Sequence, residues 1–361
     1  MRYEELAEQL SREPKSWLVT GAAGFIGSHL VERLLRCRQH VVGLDNFATG
    51  YRRNLDDIQA RVGKAVFSRF RFIEGDIRDP AICAGAVEGV DLVLHQAALG
   101  SVPRSMQEPL NSHAANVDGF INMLLAASGA GVKRFVYASS SSVYGDEPSS
   151  CKTEERRGRL LSPYAATKLI DEVYAETFRQ THGIESVGLR YFNVFGPRQD
   201  PQGAYAAVIP RWTEQLLKDE PCVVFGDGST SRDFCFVDNV VQANLLAACT
   251  PSEQLQDHVF NVACGDSTSL LDLFAMIRTL LGRYRPATAS ATLARGAPRP
   301  GDIRHSLASI ERARTQLGYR PSFDVAAGMA ETVRWYAEQA GLRNEEGQDR
   351  RIWDGPAREA S

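Results

Sequence analysis

Tyr164 and Lys168 are the residues whose types and spacing most directly suggest chemistry. They stand at the two ends of Tyr164-Ala165-Ala166-Thr167-Lys168, preceded by Ser162-Pro163. Ser162 reads as a helix N-cap and Pro163 as the first helical residue. The tyrosine and the lysine then fall on one helix face, one turn apart. A free phenol ionises at about pH 10. A tyrosine that acts as a base near neutrality therefore needs a cationic neighbour that favours phenolate, and a lysine one turn away supplies it. The pair taken alone fits an ordinary surface helix equally well. It gains weight from Ser139-Ser140-Ser141-Ser142-Val143-Tyr144-Gly145, which follows a strand-like run at 134–138. A strand end that faces a reacting carbon is where a hydroxyl donor belongs. A serine-rich loop with no role is the plain alternative.

Gly21-Ala22-Ala23-Gly24-Phe25-Ile26-Gly27 sits between an apolar run at 17–20 and an amphipathic stretch at 25–36. Glycines at this spacing let the backbone turn sharply and approach a pyrophosphate, and the following helix N-terminus faces that anion. A glycine turn needed only for helix packing is the competing reading. Asp45 ends the next strand-like run, 41–44, at 24 positions after Gly21. A carboxylate there accepts hydrogen bonds from an adenosine ribose and repels a 2′-phosphate, so NAD is expected rather than NADP. Asn46 follows it at the same strand end, and Arg52 and Arg53 are the nearby charges that would soften the preference. Gly75-Asp76-Ile77 follows the third run. Asp76 either meets the adenine or caps a helix that begins near Asp79-Pro80. His95-Gln96-Ala97-Ala98 follows the fourth run, where small residues let a cofactor lie against the sheet at the point of strand-order reversal.

These residues need a scaffold of alternating strands and helices. Strand-like runs lie at 17–20, 41–44, 70–74, 92–95, 134–138 and 186–190, and several are near-continuously apolar, as strands covered on both faces are. Helical patterns lie between them, clearest at 25–36, 114–127 and 164–181. The expected fold is α/β: a Rossmann-type doubly wound parallel sheet with right-handed crossovers and a smaller C-terminal α/β substrate domain. The NAD-binding domain is placed at 14–195, with segments near 235–265 returning to it, and the substrate domain at 196–340. Pro197, Pro201, Pro210, Pro221 and Gly226-Asp227-Gly228 break the second part into shorter elements, with helices near 239–248, 270–281 and 326–339. The first ten residues read as a short surface helix and 341–361 as a loose tail.

Composition excludes several classes. The formal net charge of −3 leaves no basic field for nucleic acid. Seven cysteines without a C-x-x-C pair suit reduced thiols in a cytoplasm better than a disulfide framework or a zinc site, and no metal is expected. No apolar run approaches membrane-spanning length, and the acidic N-terminal segment lacks an apolar signal core.

Taken together, Gly21 to Gly27, the segment 140–144 and Tyr164-x-x-x-Lys168 resemble the extended short-chain dehydrogenase/reductases. Leu189-Arg190-Tyr191-Phe192-Asn193-Val194-Phe195-Gly196-Pro197 and Arg232-Asp233-Phe234 extend the resemblance over roughly residues 14–340. Within that family the chain is most similar to the bacterial UDP-N-acetylhexosamine 4-epimerases of surface-polysaccharide synthesis. The closer likeness lies in Leu44-Asp45-Asn46-Phe47-Ala48-Thr49-Gly50, Gln96-Ala97-Ala98-Leu99-Gly100-Ser101-Val102-Pro103-Arg104-Ser105, Gly203-Ala204-Tyr205-Ala206-Ala207-Val208-Ile209-Pro210 and Gly301-Asp302-Ile303-Arg304-His305-Ser306-Leu307.

The resemblance implies tightly bound NAD, held by Gly21, Gly24, Phe25, Ile26, Gly27, Asp45, Asn46, Asp76, Ile77, Gln96, Ala97, Ala98, Tyr164, Lys168 and Tyr191. It implies Tyr164 as the base at the sugar 4-hydroxyl, Ser140 as the hydrogen-bond partner of the 4-oxygen and Lys168 as the group that tunes Tyr164. Asn193, Arg232 and Arg299 match positions near a uridine diphosphate, and Asp302 one near the uridine. Ser306 stands where epimerases restricted to non-acetylated sugars carry a bulky aromatic, which leaves space for a 2-acetamido group; Ser101, Ser141 and Ser142 line the same side. Arg104 and Arg211 are candidate partners for a 6-carboxylate. A homodimer through the helices at 114–127 and 164–181 is also implied. The alternatives are a UDP-glucose/galactose 4-epimerase, a sugar-nucleotide 4,6-dehydratase, and a non-catalytic NAD-binding protein on the same fold. The dehydratases place an Asp-Glu pair where Ser141 and Ser142 stand, and the family's decarboxylases a glutamate near that point. Serines cannot do that acid-base work.

Overall fold

A computed structural model describes residues 3–202, 206–297 and 305–343. The apolar runs become β1 (Ser16–Thr20), β2 (His40–Asp45), β3 (Phe70–Glu74), β4 (Leu92–His95), β5 (Arg134–Ser140) and β6 (Ser186–Tyr191), and a seventh strand, β7 (Val259–Val262), joins them. The sheet is parallel throughout, in the order β7-β6-β5-β4-β1-β2-β3. The order reverses between β1 and β4, so a crevice opens where Thr20 and His95 end side by side. All residues of β4 and β6 are buried, which accounts for their unbroken apolar character.

The longer helices are α1 (Tyr3–Arg12), α2 (Phe25–Arg36), α3 (Arg52–Val62), α4 (Gly119–Gly129), α5 (Pro163–His182), α6 (Val208–Leu217), α7 (Val237–Cys249), α8 (Leu270–Gly282) and α9 (Val325–Gln339). α2 and α7 cover one face of the sheet through Leu30, Leu34, Val241 and Leu245. α4 and α5 cover the other through Phe120, Leu124, Ala175 and Phe178. α5 forms where its sequence says it should. The Ser162 hydroxyl accepts from the Ala165 N–H at 3.1 Å, Pro163 opens the first turn, and Gly183 closes the helix in the left-handed region at φ 69°. A third apolar cluster, with Trp212 edge-on to Phe274 at 5.8 Å, joins α6, α8 and α9. Short strands complete this part: Ser231–Arg232 lies between Thr268–Ser269 and His305–Ala308, which in turn pairs with Cys151–Lys152.

Two expectations are refined. The N-terminal helix lies on the surface, with Glu4, Glu5, Glu8 and Gln9 exposed, but it is not apart from the domain: Tyr3, Leu6 and Leu10 are buried in the core layer that contains α2 and α7. The helix expected over 114–127 forms, but it opens irregularly: Ala114–Asp118 is a π-helical turn that runs into α4. Asn116 explains the bulge. Its Oδ1 accepts from the Leu99 N–H at 2.7 Å and its Nδ2 donates to the Thr167 hydroxyl at 3.1 Å, which draws this turn toward both the 95–101 loop and α5.

Candidate active site

The glycine loop is shaped by backbone contacts. Gly21 has φ +68°, and a Cβ there would lie 2.9 Å from the Ala97 nitrogen; a Cβ on Gly27 would lie 2.0 Å from the Gly21 carbonyl oxygen. These positions admit no side chain, so the β1–α2 turn closes tightly onto residues 96 and 97. Gly24 is the N-cap of α2, and no side chain caps that end among the described residues. Phe25 and Ile26 begin the helix and pack toward the α6–α8 cluster. The loop thus presents an open helix N-terminus to the crevice, the arrangement that suits a pyrophosphate.

Asp45 ends β2, nearly buried. It accepts from the Ala23 N–H at 2.9 Å and the Phe47 N–H at 2.7 Å, so its carboxylate lies against the glycine loop. Burial raises its carboxyl, and those N–H donors pull the other way. Asn46 donates to Asp76 at 2.8 Å, which brings the ends of β2 and β3 together. Asp76 is not the helix cap; Asp79 is, accepting from the Ala81 and Ile82 N–H groups. Hydrogen bonds from Arg78 hold the Asp76 carboxyl down at about 2. Ile77 is buried in the α4–α5 layer. Arg52 and Arg53 are engaged locally, Arg52 with Glu74 at 3.1 Å and Arg53 over the Tyr51 ring at 4.1 Å.

Below the loop, Gln96 accepts from the Tyr191 hydroxyl at 3.0 Å and donates to Asn244 at 3.1 Å, while Asn244 donates to Tyr191 at 2.9 Å. This triangle ties the ends of β4 and β6 to α7 and fixes the floor next to Ala97 and Ala98. Thr20 pins the same turn: its hydroxyl bonds His95 Nδ1 at 2.9 Å and accepts from the Ala97 N–H at 3.1 Å. His95 is fully buried, stacked on Phe135 at 5.5 Å, and its pKa is pushed down to about 3, by burial first and by Lys168 second. Its imidazole is therefore neutral.

The hydroxyl cluster and α5 complete the centre. Ser140 is the last residue of β5, and its hydroxyl accepts from the Ser142 N–H at 3.2 Å and the Ser142 hydroxyl at 3.0 Å. Ser141 and Ser142 open a 3-10 turn, half-buried. Beneath them runs a buried polar chain. Glu172 accepts from Ser139 at 2.5 Å and from Arg190 at 2.8 Å, and Arg190 donates to the Tyr144 hydroxyl at 3.0 Å. The chain locks α5 to the end of β5 and so fixes Ser140 relative to Tyr164. The Tyr164 N–H donates to the Ser105 hydroxyl at 3.0 Å, and its ring is half-buried. Lys168 is buried, with its ammonium 3.1 Å from Asp171. Burial raises the Asp171 carboxyl to about 7 against the pull of that ammonium.

A cavity of about 300 Å³ opens beyond β6, lined by Asn193, Arg211, Trp212, Phe225, Arg232 and Phe234 among others. Tyr164 and Lys168 are not in its wall; it meets the end of β6 through Asn193, two residues past Tyr191. Asn193 has φ +32° and donates to the Asp233 carbonyl at 2.8 Å. Asp233 is wholly buried and accepts from the N–H groups of Cys264, Gly265 and Ala308 at 2.9, 3.0 and 3.3 Å. It thereby sets the strand that carries Arg232. Ser306 faces Arg232 in register on the neighbouring strand, outside the cavity wall. Ser101 has a structural role besides: at φ +111° its hydroxyl accepts from the Arg104 N–H at 3.2 Å and caps the helix Val102–Gln107. Arg299 and Asp302 lie outside the described residues. Sequence reasoning missed Asn116, Asp171, Asn244 and Thr20. Only Asp171 left a signal, as a charge one turn after Lys168.

Residues 17–263 match the NAD dependent epimerase/dehydratase family. The UDP-glucose 4-epimerase of Mycolicibacterium smegmatis is 38% identical over 330 residues, which span 90% of this chain and 99% of that one. The structure of the UDP-N-acetylglucosamine 4-epimerase from Methanobrevibacter ruminantium M1, in complex with UDP-N-acetylmuramic acid, superposes with a TM-score of 0.81 at 36% identity, covering 90% of this chain and 99% of that one. The UDP-glucuronic acid 4-epimerase from Bacillus cereus, solved with UDP-glucuronic acid and NAD, gives 0.77 at 32% identity, with 90% and 99% covered. The chain belongs to the NAD dependent epimerase/dehydratase family. Its cofactor is NAD, which the side-chain-free glycine cradle, the open α2 N-terminus and the Asp45 carboxylate are fitted to hold. No helix among the described residues is long and apolar enough to cross a membrane.

Proposed function

We propose that the protein is a UDP-N-acetylhexosamine 4-epimerase. It interconverts the gluco and galacto forms of UDP-N-acetylhexosamines, or of their uronic acids, through a 4-keto sugar. The observation that carries the reading is that Ser140 ends β5 while Tyr164 and Lys168 lie on α5, which the Ser139–Glu172 hydrogen bond ties to that strand end, with a cavity beyond β6 that has two arginines in its wall. The relatives named as UDP-sugar 4-epimerases support it.

NAD supplies a reversible hydride acceptor at the sugar C4 when bound. Tyr164 takes the proton of the 4-hydroxyl and later returns it. The Ser140 hydroxyl bonds the 4-oxygen, and Lys168 favours phenolate at Tyr164 by its charge. Arg211 and Arg232 offset the diphosphate charge, with Asn193 between them and the reacting end. The anchored diphosphate lets the 4-keto sugar turn over and present its other face. Ser141 and Ser142 have hydroxyls where elimination of water across C5 and C6 requires an acid and a base, so the reaction stops at epimerisation. The small side chains of Ser141, Ser142 and Ser306 leave room for a 2-acetamido group. The exposed Leu125 on α4, with Val173 and Tyr174 on α5, supports a homodimer through these two helices. Light scattering would give a dimer mass.

Turnover of UDP-N-acetylglucosamine, its 6-carboxylate and UDP-glucose, followed by proton NMR at the anomeric and H4 signals, tests the substrate reading. The acetylated sugars should have the higher kcat/KM. Preference for UDP-glucose, the substrate in the name of the Mycolicibacterium relative, would favour the non-acetylated reading instead.

A further inference from the structure

The Lys168 ammonium has a counter-charge that the reaction scheme does not use. Asp171 follows it on α5, and its Oδ2 lies 3.1 Å from the Lys168 nitrogen, with the two side chains 1% and 3% exposed respectively. The other carboxylate oxygen, Oδ1, is buried without a hydrogen-bond partner among the described residues. A half-satisfied carboxylate in the interior is costly, and an apolar side chain at this turn would carry no such cost. Tyr164, Lys168 and Asp171 recur at i, i+4 and i+7, so they form one stripe of α5 with the lysine in the middle. The lysine acts on Tyr164 through its charge. A carboxylate this close offsets much of that charge in a low-dielectric surrounding.

We propose that Asp171 is a positioning residue that anchors the Lys168 side chain along this stripe and, by its own protonation state, sets how strongly Lys168 favours the Tyr164 phenolate. The inference rests on the Tyr164–Lys168 reading above. The groups that face the pair are few. Glu172 on α5 and Tyr137 on β5 interact with Asp171, and His95 on β4 faces Lys168. Glu172 is held by Arg190 at 2.8 Å, and the flanking His113 and Asp118 face each other at 3.8 Å. Burial brings the Asp171 carboxyl to about 7, so it changes charge within the working range. Below that pH the lysine acts on Tyr164 undiminished; above it the carboxylate damps the effect.

The test is the pH profile of kcat for holoenzyme carrying Asp171→Asn, which keeps an acceptor for Lys168 and removes the charge. The acid limb, broadened in wild type as Asp171 ionises, is expected to sharpen to a single one-proton step and reach its plateau at lower pH in the asparagine variant, with KM for the sugar nucleotide unchanged, and Asp171→Glu should restore the wild-type limb. An unchanged limb in the folded asparagine variant overturns the proposal, as does a limb that moves only together with KM and Tm. A second measurement needs no Asp171 variant. The tyrosinate absorbance difference between wild-type and Tyr164→Phe holoenzyme should titrate over a broadened, two-step range; a single one-proton curve overturns the proposal. Tyr164→Phe with wild-type turnover would instead sink the catalytic reading itself.

Discussion

The cofactor crevice and the cavity beyond Asn193 are built from different material. Around β1 and α2 the site is made by main chain: Gly21 and Gly27 admit no side chain, and Asp45 spends its carboxylate on backbone N–H groups. Beyond β6 it is made by side chains, Arg211, Arg232, Trp212 and Phe225, borne on α6 and on strands as short as Ser231–Arg232. A main-chain site tolerates almost no substitution at its glycines and specifies one cofactor. A side-chain site can be retuned residue by residue, which fits a family whose relatives act on different nucleotide sugars. Tyr164 and Lys168 on α5 and Ser140 at the end of β5 lie outside the cavity wall, on regular elements.

Substitutions can break or sharpen this contrast. Tyr164→Phe touches the chemistry alone and should lower kcat by about 10²–10⁴-fold, the usual worth of a positioned general base, with little change in KM. Gly27→Ala strikes the main-chain site. Its new Cβ meets a carbonyl oxygen that cannot move aside, so copurified NAD should be lost, with a stability loss of about 1–3 kcal/mol. Absorbance and a melting curve read both. Arg232→Ala strikes the side-chain site and should raise KM by roughly 10–100-fold, as loss of a charged hydrogen bond of about 1.5–3 kcal/mol implies, while NAD content stays unchanged. If Arg232→Ala lost the cofactor instead, the two sites would not be separable.

The smallest effect is on pH dependence. His95 has its pKa depressed in the fold to about 3, so its contribution to stability is present above about 6.5 and is lost as pH falls toward 3. Asp171 and Asp233, both raised to about 7, run the opposite way, losing their contribution as pH rises through that value. The signal is therefore the difference between wild type and His95→Asn in urea unfolding. It should change by about 1 kcal/mol per pH unit below 6.5, to the detriment of wild type. A constant difference would mean that His95 is not held neutral.

The same contrast explains what could be read from residues alone. β4 carried a near-continuous apolar run, β3 the apolar residues Phe70, Phe72 and Ile73, and α5 a cap and a proline, so their limits were legible to within a residue. α3 was not, because only Asn54, Leu55 and Ile58 of its 11 residues are buried and no apolar stripe marks it. β7 is a lone buried run far along the chain, and its pairing with β6 is a long-range choice that periodicity cannot express. The glycine loop was visible because backbone demands restrict residue type. The Gln96–Tyr191–Asn244 triangle was not visible as such, since its members are joined only by the fold. The capping role of Ser101 was likewise not read in advance, since a serine before a proline-containing turn serves as a cap as readily as a substrate contact.

The most direct measurement is to incubate the purified protein, without added NAD, with UDP-N-acetylglucosamine in deuterated water and to follow the H4 signal by NMR. The expected result is a galacto-configured product that retains protium at C4, because the hydride leaves and returns within one site. Deuterium at C4, or no conversion even after NAD is supplied, would contradict it.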